Sequence, residues 1–112
     1  MIIEVEMHAF ANGAIRRVEI PDNRILHDVP ETLGAAFELG QNDFQPQDLP
    51  SVSVGDIIRC SGERYAVMPI GFRRIEPNFI PPHDGGMWAY RFQAMPDQAR
   101  YRGHLGGPTR LL

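Results

Sequence analysis

The sequence predicts an α+β domain: an N-terminal β-hairpin, one short helix, a second β-hairpin in a strongly bent antiparallel sheet, and an extended C-terminal segment. Three observations predict it. Apolar and polar residues alternate on both sides of Asn12-Gly13, a helical pattern runs from Asp28 to Gly40, and Ser61-Gly62 separates two further short apolar runs. With 112 residues, 43% of them hydrophobic, the chain is long enough to bury one core without a metal or disulfide. Residues 1–95 read as that single domain and 96–112 as an extended or flexible tail.

The first hairpin is expected over residues 2–20. Asn-Gly supplies the two positive-φ positions of a type I′ turn. A tip at Asn12-Gly13 pairs Met7 with Val18 and Val5 with Ile20. Val5, Met7, Ala9, Val18 and Ile20 then share an apolar face, and Glu4, Glu6, His8, Arg17 and Glu19 share a solvated one. Glu6 opposite Glu19 is mildly unfavourable, tolerable where water screens it.

The helix is expected to start at Asp28, an N-cap with Glu31 in capping-box spacing. Pro30 is harmless in the first turn, Val29, Leu33, Ala36 and Phe37 form the apolar stripe, and Gly40 stops it. A helix this short must lie on a sheet. Gln41 to Pro50 reads as a loop anchored by Phe44. The next strand opens at Val52 and runs through Cys60, Ser61-Gly62 turns it, and Tyr65 to Met68 returns. Residues 70–75 form a further short strand. After Pro77, only Met87 to Ala94 has clean alternation, with Trp88, Tyr90 and Phe92 on one side, and it reads as a strand.

Charge is uneven. Residues 1–56 hold ten acids and three arginines, a balance of −7, while residues 57–112 hold four acids and eight arginines, a balance of +4. The two halves either attract each other within the fold or present opposite patches to partners. All eleven basic residues are arginine. The acidic start is unlike a signal peptide, and no apolar run reaches membrane-spanning length, so a cytoplasmic protein is expected.

Chemistry-bearing motifs are few. A P-loop is absent, which excludes nucleotide hydrolysis of that type. The four histidines, His8, His27, His83 and His104, lack ligand spacing, and the one cysteine, Cys60, builds neither disulfide nor thiolate zinc site. No cofactor or metal is expected. His83-Asp84 in a Pro-Pro-His-Asp-Gly-Gly loop, and Cys60 between Arg59 and Arg64, are the residues a small hydrolase would use. Each also reads structurally, as a surface turn and as a buried small side chain.

The arginines carry the positive signal. Arg59 and Arg64 lie opposite each other in the second hairpin and Arg73-Arg74 follow. Like charges facing across strands cost stability and call for an acidic partner, inside the protein or outside it. Arg59, Arg64, Arg73, Arg74, Trp88 and Arg91 are therefore the candidate partner-binding residues, and no catalytic residue is assigned. A polyanion would need the arginines at 59, 64, 73 and 74 on one exposed face.

The stretch Gly40-Gln41-Asn42-Asp43-Phe44-Gln45-Pro46, then Pro50-Ser51-Val52-Ser53-Val54-Gly55-Asp56-Ile57-Ile58, Gly62, Tyr65-Ala66-Val67 and Gly71-Phe72, resembles the YodL-like domains of plasmids, prophages and conjugative elements. The resemblance covers residues 40–75 and transfers no catalytic residue. It implies an accessory or counter-defence protein of a mobile element. The leading expectation is a non-catalytic interaction protein that blocks a host defence factor in the bacterial cytoplasm. The alternatives are a nucleic-acid-binding accessory protein using the Arg-rich half, and a small hydrolase.

Overall fold

The computed structural model describes residues 1–93 and 110–111. The elements are β1 (Ile2–Met7), β2 (Ala14–Glu19), α1 (Val29–Leu39), β3 (Ile57–Cys60), β4 (Glu63–Val67), β5 (Phe72–Ile75), α2 (Met87–Gln93) and β6 (Arg110–Leu111). The strands form one antiparallel sheet in the order β2-β1-β3-β4-β5-β6. The fold is α+β. Its sheet is open, not closed or strongly curled. The bent sheet expected from the short strands is absent because both faces are covered by their own cores, leaving no interior to close around.

Strand alternation separates those cores. Val5, Met7, Val18, Ile58, Tyr65 and Val67 point to one face and pack with Leu33, Ala35 and Ala36 of α1. Ile57, Ala66, Met68 and Ile75 point to the other and pack with Phe79 and with Trp88 and Ala89 of α2. Helix α1 starts and stops as expected. Asp28 caps it by accepting from the Glu31 amide at 2.9 Å, and Gly40 closes it by donating to the Ala36 carbonyl at 2.9 Å. The Glu31 side chain turns to His27 Nδ1 at 2.9 Å.

The first hairpin keeps its turn and changes its ladder. Asn12 and Gly13 do have positive φ (53° and 83°), and the Ala14 amide donates to Ala11 across them. Yet Met7 pairs with Ala14 and Ile3 with Val18, four residues from the expected Met7–Val18 pairing. The cause lies between Met7 and Asn12. His8 bonds back to the Glu6 carboxylate, and the Ala9 amide donates to the buried Asp56, so residues 8–13 form a loop instead of continuing the strands. The shift is even, so each side chain keeps its face. It also replaces Glu6 opposite Glu19 with Glu4 opposite Arg17, an attractive pair. The second hairpin forms as read, with Ser61 and Gly62 at positive φ and Arg59 opposite Arg64. Its first strand begins at Ile57, later than Val52, because residues 53–56 turn around the Asp56 side chain.

Residues Met87–Gln93 are helix, correcting the strand expected there. Alternating aromatics suggested period two, but burial falls on Trp88 and Ala89, with Phe92 packed alongside, which is helical spacing. No β-branched residue stands in this stretch to favour a strand. Asp84 starts the turn, accepting from the Trp88 amide at 3.2 Å. Ala94 lies outside the described residues, as does most of the 96–112 segment, of which Arg110–Leu111 pair with β5.

The helix is docked through two glycines. A Cβ at Gly86, φ +85°, would stand 2.2 Å from the Val54 carbonyl oxygen, and one at Gly55, φ +95°, would stand 2.4 Å from the Gly86 Cα. Gly86→Ala is therefore expected to lower stability by at least about 2 kcal/mol, through overpacking and backbone strain together. Gly62→Ala, at φ +77° with open space around it, is expected to cost only about 1 kcal/mol. Urea denaturation followed by Trp88 fluorescence checks both, and equal losses would mean the Gly55–Gly86 approach does not matter.

Candidate functional site

The densest polar assembly is built on Glu6, expected at a solvated position and found buried at 5% exposure. Strand pairing explains the burial, because Glu6 lies between Ile15 and Ile57 in the middle of the sheet. Its Oε1 accepts from Arg64 Nη2 at 2.7 Å and bonds His8 Nε2 at 2.8 Å. Its Oε2 accepts from Arg59 Nε at 2.9 Å and Arg64 Nε at 3.0 Å. Arg59 also reaches Glu4 at 3.1 Å. Burial pushes the Glu6 carboxyl up, but the hydrogen bonds from His8, Arg64 and Arg59 and the charge of Arg64 hold it well below the usual carboxylate range.

The attraction between the acidic front half and the basic rear half is thus realised inside the fold. It also resolves the facing Arg59–Arg64 pair. Arg64 uses its remaining nitrogen, Nη1, to donate to the carbonyls of Glu76, Pro77 and Phe79 at 2.8–3.1 Å. A carboxylate so fully engaged and so acidic is a poor general base near neutral pH. The arrangement is a structural clamp.

The other candidate residues do not converge. Arg73 is fully buried and donates to the Phe92 carbonyl at 2.9 Å, in the last turn of α2. Arg74 points to the opposite face and pairs with Glu63 at 3.7 Å. Trp88 is buried against Phe79 and Phe92, so it cannot stack on a base or face a partner. Arg91 is exposed and bonds Asp84 at 2.7 Å. Arginines 59, 64, 73 and 74 therefore form no single exposed face of the kind a polyanion requires, because strand alternation divides them and the sheet interior absorbs two.

Of the hydrolase residues, Asp84 is spent on capping α2 and on Arg91, His83 is exposed with no ion pair among the described residues, and Cys60 is buried beside Ser61. No group of three or more metal-ligating side chains occurs among the described residues. An apolar groove of about 220 Å³ between Phe37, Pro69 and Phe72 has no titratable side chain in its lining. No helix among the described residues is long and apolar enough to cross a membrane. No protein-family model, curated protein or solved structure matches the chain.

Sequence reasoning missed two further buried charges. Asp56 accepts from the amides of Ala9 and Ser53, both at 2.8 Å, stapling two loops, and its burial pushes the carboxyl up against those bonds. Arg16 is fully buried without a carboxylate, its Nη1 donating to Asn42 Oδ1 at 2.8 Å and Pro50 O at 3.1 Å and its Nη2 to Gln45 O. Phe44, expected to anchor that loop, is exposed. The anchor is Arg16, whose place in an otherwise apolar alternation (Arg16, Val18, Ile20) was the available signal.

Glu6 supplies a pH test. Its pKa is lowered in the folded state, so its contribution is complete above the unfolded value of about 4.3 and is lost as pH falls through the acidic range below it. Glu6→Gln is expected to lower stability at pH 7 by about 3 kcal/mol, since it leaves buried arginine charge unbalanced. The gap to the parent should shrink from about pH 5 towards pH 2. Denaturation series at several pH values check this, and a pH-independent gap would show that charge is not what Glu6 contributes.

Proposed function

We propose that this is a non-catalytic interaction protein of a phage or mobile genetic element, which blocks a host defence factor by binding its surface. One observation carries the reading: side chains with chemistry are spent inside the fold, while aromatic side chains are displayed on pinned loops. Glu6, Asp56, Arg16 and Arg64 are consumed by internal bonds. Phe10 is 67% exposed on the loop whose backbone Asp56 holds, and Phe44 is 61% exposed on the loop that Arg16 holds. An aromatic presented on an ordered backbone loses little freedom on binding, which is the property of interface anchors. Arg59 and Arg91 keep enough exposure to flank a contact. The mobile-element context rests on the resemblance of residues 40–75 to YodL-like domains.

The test is a plaque assay on a defence-carrying host expressing the protein, alongside thermal melting of each variant. The double variant Phe10→Ala/Phe44→Ala is expected to abolish protection of the phage while its melting temperature stays within about 3 °C, since both side chains are exposed. His83→Ala and Cys60→Ser should retain activity within a few-fold. Loss by orders of magnitude in either, with the fold intact, would indicate catalysis instead.

A further inference from the structure

We infer that the loop from Gln41 to Pro50 is the docking surface, and that Phe44 fills an apolar pocket rimmed by basic side chains on a partner protein. This rests on the interaction reading above and gives it a location and a partner chemistry.

The loop is a braced frame. Residues 41–45 close a helical turn, with the amides of Phe44 and Gln45 donating to the Gln41 carbonyl at 2.9 and 3.0 Å. Arg16 ties that turn to Pro50 from below. Asn42 receives Arg16 and the Gln47 amide on its oxygen and donates to the Leu49 carbonyl. Gln45 exchanges two bonds with the Glu19 backbone at 2.9 and 2.6 Å, and Gln47 donates to the Arg17 carbonyl at 2.7 Å. The amide side chains of the loop thus point inward or onto the edge of β2, covering part of an edge otherwise open to strand addition. Leu49 is half-buried, whereas Phe44, 61% exposed, is turned outward. Neither the helix nor the cores need it there.

The loop is also acidic. Glu19, Asp43 and Asp48 are exposed and enter no ion pair among the described residues, unlike Glu4, Asp22, Glu31 and Glu38. All three lie in this loop or on the strand it covers. Of the other exposed carboxylates among the described residues, Asp22, Glu31 and Glu38 are ion-paired and Asp28 caps α1; the half-buried Glu76 also has no ion pair, but only Glu19, Asp43 and Asp48 share this loop and the strand it covers. They suit a basic rim, and they steer encounter. Among the described residues a second copy offers a poor basic rim, because Arg17, Arg24, Arg59, Arg74 and Arg91 are each already ion-paired.

The test is photocrosslinking in the bacterial host with the full chain carrying p-benzoylphenylalanine at Phe44, at Phe10, or at the exposed control Asn23. The protein captured from position 44 is then purified, and its affinity is measured for the parent, Phe44→Ala and Asp43→Asn/Asp48→Asn. Expected are an adduct at 44 and none at 23, and at least thirtyfold weaker binding for Phe44→Ala with an unchanged urea midpoint. The double Asn variant should associate several-fold more slowly and lose salt dependence between about 50 and 200 mM. Phe44→Ala binding within twofold, an unchanged salt dependence in the double variant, or an adduct joining two copies would overturn the inference. An adduct at 10 without one at 44 would overturn this surface while sparing the interaction reading; no adduct at any position would count against both.

Discussion

The bidentate contact between Arg64 and Glu6 is the interaction on which most of the structure depends. It joins the first hairpin to the second at the centre of the sheet, where β1 and β3 pair through only two register positions, Val5–Ile58 and Glu6–Ile57. It neutralises an Arg59–Arg64 juxtaposition that would otherwise push β3 and β4 apart. Through Nη1, Arg64 gathers the carbonyls of residues 76, 77 and 79, which seats Phe79 against Trp88 with ring centroids 5.1 Å apart. The second core therefore inherits its position from a carboxylate on the first strand. A buried pair of this kind adds little net stability over an apolar substitute, but it is costly to break and admits few alternative arrangements. Its contribution is specificity of assembly.

Arg16 solves the opposite problem on the other face. No carboxylate meets it; carbonyl oxygens of one loop accept from its two terminal nitrogens instead, while its buried Nε has no partner among the described residues. Carbonyl dipoles compensate a buried cation less completely than an anion does, and burial accordingly lowers the Arg16 pKa from its usual value. The geometric return is order. Loops are ordinarily the least constrained part of a domain, and here a fork of donors at fixed angles fixes several backbone positions at once.

What could be read from the sequence was local. The Asp28 cap, the Gly40 stop, the Asn12-Gly13 turn and the Ser61-Gly62 hairpin each depend on neighbours a few residues away, and each forms. What could not be read was set by distant partners. Asp56 pulls Ala9 out of the ladder across 47 positions and so displaces the pairing of β1 and β2. Packing of Trp88 against Phe79 and Phe92 converts an alternating aromatic stretch into a helix turn and removes Trp88 and Arg73 from the surface. The arginine pattern correctly demanded an acidic partner, but spacing alone cannot distinguish a partner in the chain from one outside it. Glu6 and Glu4 supply it.

The buried charges also set the geometry of the surface. His8 is bonded to Glu6 and Ala9 to Asp56, so the loop that presents Phe10 is held at two consecutive residues by two different interior carboxylates. The loop that presents Phe44 is held by Arg16 in the same manner. Each aromatic's position follows from a buried charge elsewhere in the fold, since an ordered backbone fixes where an exposed side chain stands. A substitution at Glu6, Asp56 or Arg16 would thus shift surface side chains that it does not itself replace. Interior and surface are linked by the hydrogen-bond chains that connect them. In this fold, buried carboxylates held by arginines and amides, and a buried cation held by carbonyls, decide where two exposed phenylalanines stand.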